Sequence, residues 1–462
     1  MAGGEVLRDD QRRLHGLRRG SGMTTILFAK ESDCEENPGG HDLRATLVPQ
    51  DVRRYVDRGF DVVIQQGLGE GIGYLDRQYE LEGARVEPYP SCYGGKDLVV
   101  KLKGPSAAEV AQLSYGTTLF SMGHLYCFPE RERLLRDKGV RLVGMETVTD
   151  PQEPSDGYLA GIAAGSGVDV DALGPEPEVL IDSSAPQEYV NGLLRSLMRY
   201  GRKPLRVRYT DTDGPEQSRA AVSGSAVLTA GDGVTDLAPA VGAPYRLGEE
   251  DLPAGRDGLL AEERGKPVRA IGQIREVGIG GTKYGLDLFR SRNAGRTPEV
   301  LVLGYGNCSM GAFEHLRDRR VEFTVLGRPQ TSPEELPGRL ASAQLIVNGA
   351  ETPGQSEYII TRRNAERDVP VGAVVIDLIG GSPALRSPVE SFVWTTFLPD
   401  IHFEEHGRFF AGLWGWDMYY SMHDTALEYS RRIAKVLTSG DRYAKSLDDF
   451  VSDYAYALQL EG

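Results

Sequence analysis

The stretch VLVLGYGNCSMGA (300–312) decides the architecture. Val300–Leu303 are uniformly apolar and read as a strand buried on both faces. A glycine turn follows at Gly304 and Gly306, and a helix is predicted to begin near Ser309. Glycines there let the backbone turn tightly and approach a pyrophosphate. The residues around that helix start, Asn307, Cys308, Ser309 and Met310, would turn free N–H groups and the positive end of the helix dipole toward the phosphates. The third glycine of the usual fingerprint is replaced by Ser309, with Gly311 two positions on. A glycine turn that binds nothing is the plainer alternative, but its setting between a pure strand and a helix favours a dinucleotide.

Downstream, VEFTVLG (321–327), AQLIVNG (343–349), AVVIDLIG (373–380) and SFVWTTF (391–397) read as further strands. A long helix is predicted over about 420–438 and a second amphipathic segment over 446–459. An acid normally accepts the ribose 2′-hydroxyl of NAD about 20 residues after the glycines. Here Gly327 stands in its place and Arg328 follows, which removes repulsion toward a 2′-phosphate and supplies a bidentate donor. This favours NADP over NAD.

Upstream, apolar runs again alternate with amphipathic segments. TTILFAK (24–30), DVVIQQG (61–67), DLVVKLK (97–103), TTLFSMG (117–123) and VRLVGME (140–146) read as strands of a parallel sheet. Helices are predicted at 49–59, 106–114 and 130–139. Between 151 and 285 the rhythm is lost among Pro, Gly, Asp and Glu, with strand-like pieces at 204–211 and 221–230. The fold class is α/β: two Rossmann-like domains, one flavodoxin-like and one dinucleotide-binding, with a cleft between them and an α+β insertion. The expected organisation is a flexible extension (1–22), a catalytic domain (23–150 plus 420–462), the insertion (151–285) and the dinucleotide domain (286–419).

Composition limits the alternatives. The 462 residues carry 52 Lys+Arg against 67 Asp+Glu, a net charge of −15, which argues against nucleic acid or an anionic membrane as partner. Four scattered cysteines form neither a disulfide framework nor a metal cluster. No apolar run reaches the ~18 residues of a membrane span, so a cytoplasmic protein is expected. A homo-oligomer is compatible with this reading.

Lys30-Glu31, Arg44, Lys103 and His124 stand out in the first segment. The order KES…RATLVP…GFDVVIQQGLGEGIGYLD…DLVVKLKGP…LFSMGHL…METVTD resembles the N-terminal catalytic domain of the alanine dehydrogenase family. That superfamily also includes the N-terminal part of nicotinamide nucleotide transhydrogenase and the saccharopine dehydrogenases. The resemblance covers about 24–150 well and 298–438 more loosely, through the GYG turn, ETPGQ (351–355), GAVVID (372–377) and GWDMYYSMHDTALEYS (415–430). It implies that Arg44 and Lys103 hold a 2-oxo acid, that Lys103 and His124 are the catalytic residues, either of them moving the protons, and that Asp377 and Asp417 lie on the cofactor side. Independently, Arg suits a carboxylate, and an imidazole suits proton transfer to a carbon-bound O or N near neutral pH. Lys101 shares a strand face with Lys103 and is a candidate second cation for the substrate.

The implied activity is reversible hydride transfer between NAD(P)H and the C=N or C=O carbon of a substrate built from a 2-oxo acid and an amine or amino acid. Three positions depart from the family pattern: Gly381 where an acid is expected, Gly104 after Lys103 in place of Glu, and Asp417 in place of Asn. They keep a second reading open, a catalytically inactive nucleotide-binding or scaffold relative. HFEEH (402–406) fits a zinc-peptidase pattern only formally, because its flanks read as loop and strand. His423 and Asp424 read as a helix-surface pair, the Trp414/Trp416/Tyr419/Tyr420 cluster as core, and Gly67–Gly73 as a flexible loop.

Overall fold

The computed structural model describes residues 23–150, 154–166, 168, 174–181, 185–209, 227–230, 263, 268–352, 357–419 and 421–439. The extension 1–22, the segment 446–459 and Tyr420 lie outside them. Six parallel strands build the first sheet: β1 (Thr25–Phe28), β2 (Asp61–Gln65), β3 (Arg85–Glu87), β4 (Leu98–Lys103), β5 (Thr118–Met122) and β6 (Arg141–Gly144). Their order is β3-β2-β1-β4-β5-β6. Five of them are the strands predicted from apolar runs; without β3 their order is the flavodoxin-like 2-1-3-4-5. The edge strand β3 has only three residues, Arg-Val-Glu, and gives no apolar signal.

The helices between these strands begin and end where local chemistry stops the chain. Pro49 opens Pro49–Val56, and Pro129 opens Pro129–Lys138, which Gly139 closes in the left-handed conformation (φ 68°). Ser106 and Glu109 cap Ala107–Gln112 reciprocally. The C-terminal helix, Met422–Thr438, packs back on this first core through Ala426, Tyr429 and Ile433.

The chain leaves this core at β7 (Thr149–Asp150). It then supplies β8 (Glu178–Ile181), β9 (Leu205–Tyr209), β10 (Val227–Ala230) and β11 (Val268–Arg269), the last pairing antiparallel with β7. The second sheet continues with β12 (Val300–Leu303), β13 (Phe323–Leu326), β14 (Leu345–Asn348), β15 (Val374–Asp377), β16 (His402–Glu405) and β17 (Arg408–Ala411). Its order is β10-β8-β9-β13-β12-β14-β15-β17-β16. The block β13-β12-β14-β15-β17 is parallel, while β9 meets β13 and β16 meets β17 antiparallel. Part of the 151–285 stretch thus extends this sheet edge to edge, with the helix Gln187–Gly201 joining the parallel strands β8 and β9.

One predicted strand is absent. Residues 391–397 form a loop with a single bridge, Thr396 to Leu413, because Val393 and Trp394 both face outward and break the alternation a strand requires. The HFEEH segment is an antiparallel hairpin, with His402 on β16 and His406 in its turn, so its two imidazoles do not share a helix face. Among the described residues there is no group of metal-ligating side chains, and no helix is long and apolar enough to cross a membrane.

Candidate active site

In an open parallel sheet, ligands gather beyond the carboxyl ends of the strands where the strand order reverses. In the first sheet that point lies between β1 and β4, beside Lys30-Glu31 and Lys103. All six residues of β4 are buried, both lysines included. The β4–β5 ladder shifts register between Val100 and Lys103, and Glu31 accepts the N–H groups of Leu102 (2.8 Å) and Lys103 (3.2 Å). Burial lifts the Glu31 carboxyl to about 7, against the pull of Lys101.

Each predicted cation has an internal carboxylate. Lys101 lies 3.5 Å from Glu31 and 3.4 Å from Glu109, and donates to the Lys30 carbonyl at 2.8 Å. Its side chain is 0% exposed, so it holds the loop after β1 and is not open to a substrate. Lys103 donates to the Glu36 carbonyl oxygen (2.6 Å) and lies 3.4 Å from the Asp42 carboxylate. Arg44 donates to Asp42 and, through its other edge, to Asp417 (2.8 Å). Despite burial, Arg44 and Lys103 hold the Asp42 carboxyl far below the usual carboxylate range.

His124 follows β5 in the left-handed region (φ 44°), a strained conformation for a side chain of its size. Glu146 accepts its backbone N–H (3.0 Å), and its Nδ1 lies 3.1 Å from Glu36 Oε2. The other Glu36 oxygen accepts from Arg131. Burial would raise Glu36, but Arg131, His124 and Lys103 together outweigh it and hold the carboxyl at about 2. The His124 ring lies 5.3 Å from that of Trp414, which stacks on Phe128 (5.6 Å).

The second switch point lies between β12 and β14, at the glycine turn. Gly304 is left-handed (φ 91°), and its N–H donates to the Leu326 carbonyl. Gly306 precedes the helix Asn307–Asp318, and a Cβ added there would meet nothing within 4 Å. Gly311 is the close-packing glycine: a side chain there would run into the Arg275 carbonyl of the helix Ile274–Arg292. Ser309 Oγ is buried and has no hydrogen-bond partner among the described residues. Asn307 is exposed at the helix start, whereas Met310 belongs to the core and its N–H is already given to Gly306. Burial pushes the Cys308 thiol up to about 12, which leaves it inert. Arg328 is exposed just beyond β13, and Gly327 before it lies beside Tyr305 of the turn.

Asp377 and Asp417 serve the fold. Asp377 accepts from Asn348 (3.0 Å), Ser387 (2.7 Å) and the N–H groups of Ile379 and Gly380, so its oxygens are used within its own chain. An acid at Gly381 would collide with the Ser387 backbone, which explains its absence there. Trp416 donates to the Asp377 carbonyl (3.0 Å), and the next residue, Asp417, reaches across to Arg44. The two switch points are therefore linked through Trp414–Asp417. His423 is bonded to the Ile72 carbonyl (2.7 Å) and stacks on Tyr74, tying the 67–73 loop to the C-terminal helix.

The sequence reading missed Glu36 and Asp42, whose only signal was the acid-rich stretch between Glu31 and Arg44, and Arg131, one charge among many in a predicted helix; Trp414 it assigned to the core.

Two α/β units, each with a switch point in its sheet, define the class of this protein. Residues 34–163 match the family model "Alanine dehydrogenase/PNT, N-terminal domain". The family is nicotinamide-dependent. The alanine dehydrogenase of Halomonas elongata is 39% identical over 113 residues, which are 24% of this chain and 30% of that protein. That of Bacillus subtilis is 33% identical over 107 residues, 23% and 28% of the two chains. The match thus spans less than a third of these relatives' length. Among solved structures, an L-alanine dehydrogenase aligns over 93% of this chain and 94% of its own, with TM-score 0.46 and 16% identity. The transhydrogenase of Sinorhizobium meliloti aligns over 90% and 93%, with TM-score 0.44 and 16% identity.

Proposed function

We propose that this chain is an NAD(P)-dependent oxidoreductase that moves hydride reversibly between the nicotinamide and a C=N or C=O carbon, with NADP preferred. The observation that carries the reading is the link between the switch points: His124 lies against Trp414, and Trp416 and Asp417 connect the glycine-turn sheet to Arg44. The turn fits a dinucleotide. Gly306 leaves its face open, and the Ser309 hydroxyl, buried against Gly349, has no partner among the described residues. Gly304, Gly306, Asn307 and Ser309 would hold the pyrophosphate, and Arg328 the 2′-phosphate.

Bound there, the nicotinamide supplies or accepts the hydride. His124 moves the accompanying proton at Nε2, because Glu36 fixes its Nδ1 side. Lys103 completes the positive side of the site. Orientation and exclusion of water between the two sheets supply most of the rate.

The test is NADPH and NADH binding, then turnover against a panel of 2-oxo acids, aldehydes and ketones with ammonia and primary amines. His124→Asn should lower turnover by ~10²–10⁴-fold with cofactor affinity intact. Arg328→Ala should weaken NADPH by about tenfold and leave NADH unchanged. The pairing of Arg44, Lys101 and Lys103 with carboxylates of the same chain favours a second reading, cofactor binding without chemistry. Tight NADPH binding with no oxidation across the whole panel would establish it.

A further inference from the structure

Arg44 is closed on both edges. Its Nε and one terminal nitrogen donate to the Asp42 carboxylate (3.0 and 2.7 Å), its other terminal nitrogen donates to Asp417 (2.8 Å), and its ring-side face lies over Tyr429. This is the two-pronged grip that a guanidinium offers to a carboxylate, already taken by residues of the same chain. The Lys103 ammonium lies on the same Asp42 oxygen that accepts from Arg44. Side-chain exposures are 4% for Arg44, 1% for Asp42, 2% for Asp417 and 6% for Lys103. Two positive charges therefore meet two negative ones out of contact with water.

Asp42 is anchored. Its backbone N–H donates to Asn37 Oδ1 (2.8 Å), and Asn37 Nδ2 donates back to its carbonyl oxygen (3.2 Å) and to that of Ser32 (3.0 Å). Asn37 is 4% exposed. The Arg44 backbone N–H adds a further bond to Asp42 Oδ1. A carboxylate tethered two residues away and held in register competes at an effective concentration that no acid in solution reaches. An entering carboxylate would also bring an unmatched negative charge beside Asp42 and Asp417.

We propose that Asp42 is a specificity-determining residue that fills the carboxylate position of this site from within. The substrate is then a carbonyl compound or imine with no free carboxylate at the carbon's Arg44 side, such as a ketone or aldehyde with an amine. This rests on the hydride-transfer reading of the crevice, but the grip on Arg44 can be examined without turnover.

Oxamate, a small monocarboxylate, is titrated calorimetrically into the full chain, with and without saturating NADPH. Wild type shows no saturable binding. Asp42→Asn, with its fold checked by near-ultraviolet circular dichroism, binds oxamate with a gain of about tenfold or more, and Asp42→Asn/Arg44→Met loses it again. Should Asp42→Asn not fold, Asn37→Ser loosens the anchor with both charges kept and is expected to gain binding in the same sense. The proposal is overturned if wild type binds oxamate in a way that Arg44→Met abolishes, or if a folded variant gains nothing. NADPH binding is scored in its own titration: its absence removes the hydride-transfer reading and leaves the oxamate comparison intact.

Discussion

The carboxylate of Glu36 is shared between the imidazole of His124 and the guanidinium of Arg131, with 1% of its side chain exposed. Its pKa, held at about 2, lies below that of a carboxyl in the unfolded chain, so the ionised form stabilises the fold. That stabilisation is complete above the ordinary carboxylate range and is lost as pH falls from there toward about 2. Glu36→Gln is therefore expected to cost on the order of 3 kcal/mol at neutral pH, a deficit that shrinks on acidification through this window. Urea denaturation of both proteins from pH 7 downward measures it, and a pH-independent gap would show that charge is not what Glu36 contributes. Lys103 and His124 were legible because they end or follow an apolar run, Arg44 only through the family resemblance. Their partners were not: Glu35 is half exposed and Glu36 is buried, one position apart in the same acidic stretch. Only the folded loop separates them.

At the level of elements, the glycine turn holds two glycines with opposite duties. Gly306 has an extended backbone and an open face, so Gly306→Ala should fold like the wild type and lower NADPH affinity. Gly311 lies where two helices cross, so Gly311→Ala should destabilise the chain by about 2 kcal/mol or more, whatever the ligand. Thermal melts with and without NADPH distinguish the two; equal melting temperatures for both variants would contradict this division. Elements dominated by apolar residues, such as β4, β12 and β14, were readable directly. The helices Asp156–Ser166 and Gln187–Gly201 were not, because glycines at 161, 165 and 192, placed where the helices touch, look like breaks in a sequence. The 391–397 run misled for the opposite reason, its apolar residues facing both inward and outward.

Across the whole molecule, the chain passes between the two cores at β7 and β11, which are paired, and again between Trp416 and the helix from Met422. Arg44 and Asp417, 373 residues apart, close the second crossing. Asp417→Asn should leave a buried guanidinium half-paired and cost about 3 kcal/mol. Hydrogen exchange at 415–419 should speed up in the variant, and unchanged exchange would mean that packing of Trp416 alone holds the crossing. A sequence could announce two α/β units and their glycine turn. It could not announce that β8 and β9 extend the second sheet, since edge-to-edge pairing between distant strands leaves no local trace.

The ion pairs at the first switch point are sheltered from solvent, and this has a consequence for the medium in which the protein works. Dissolved electrolytes weaken attractions between groups at a surface, within a distance of about 10 Å at 0.1 M. They hardly reach Arg44, Asp42 and Lys103, each 6% exposed or less. Whatever this crevice accepts or refuses in dilute buffer, it should accept or refuse in concentrated brine.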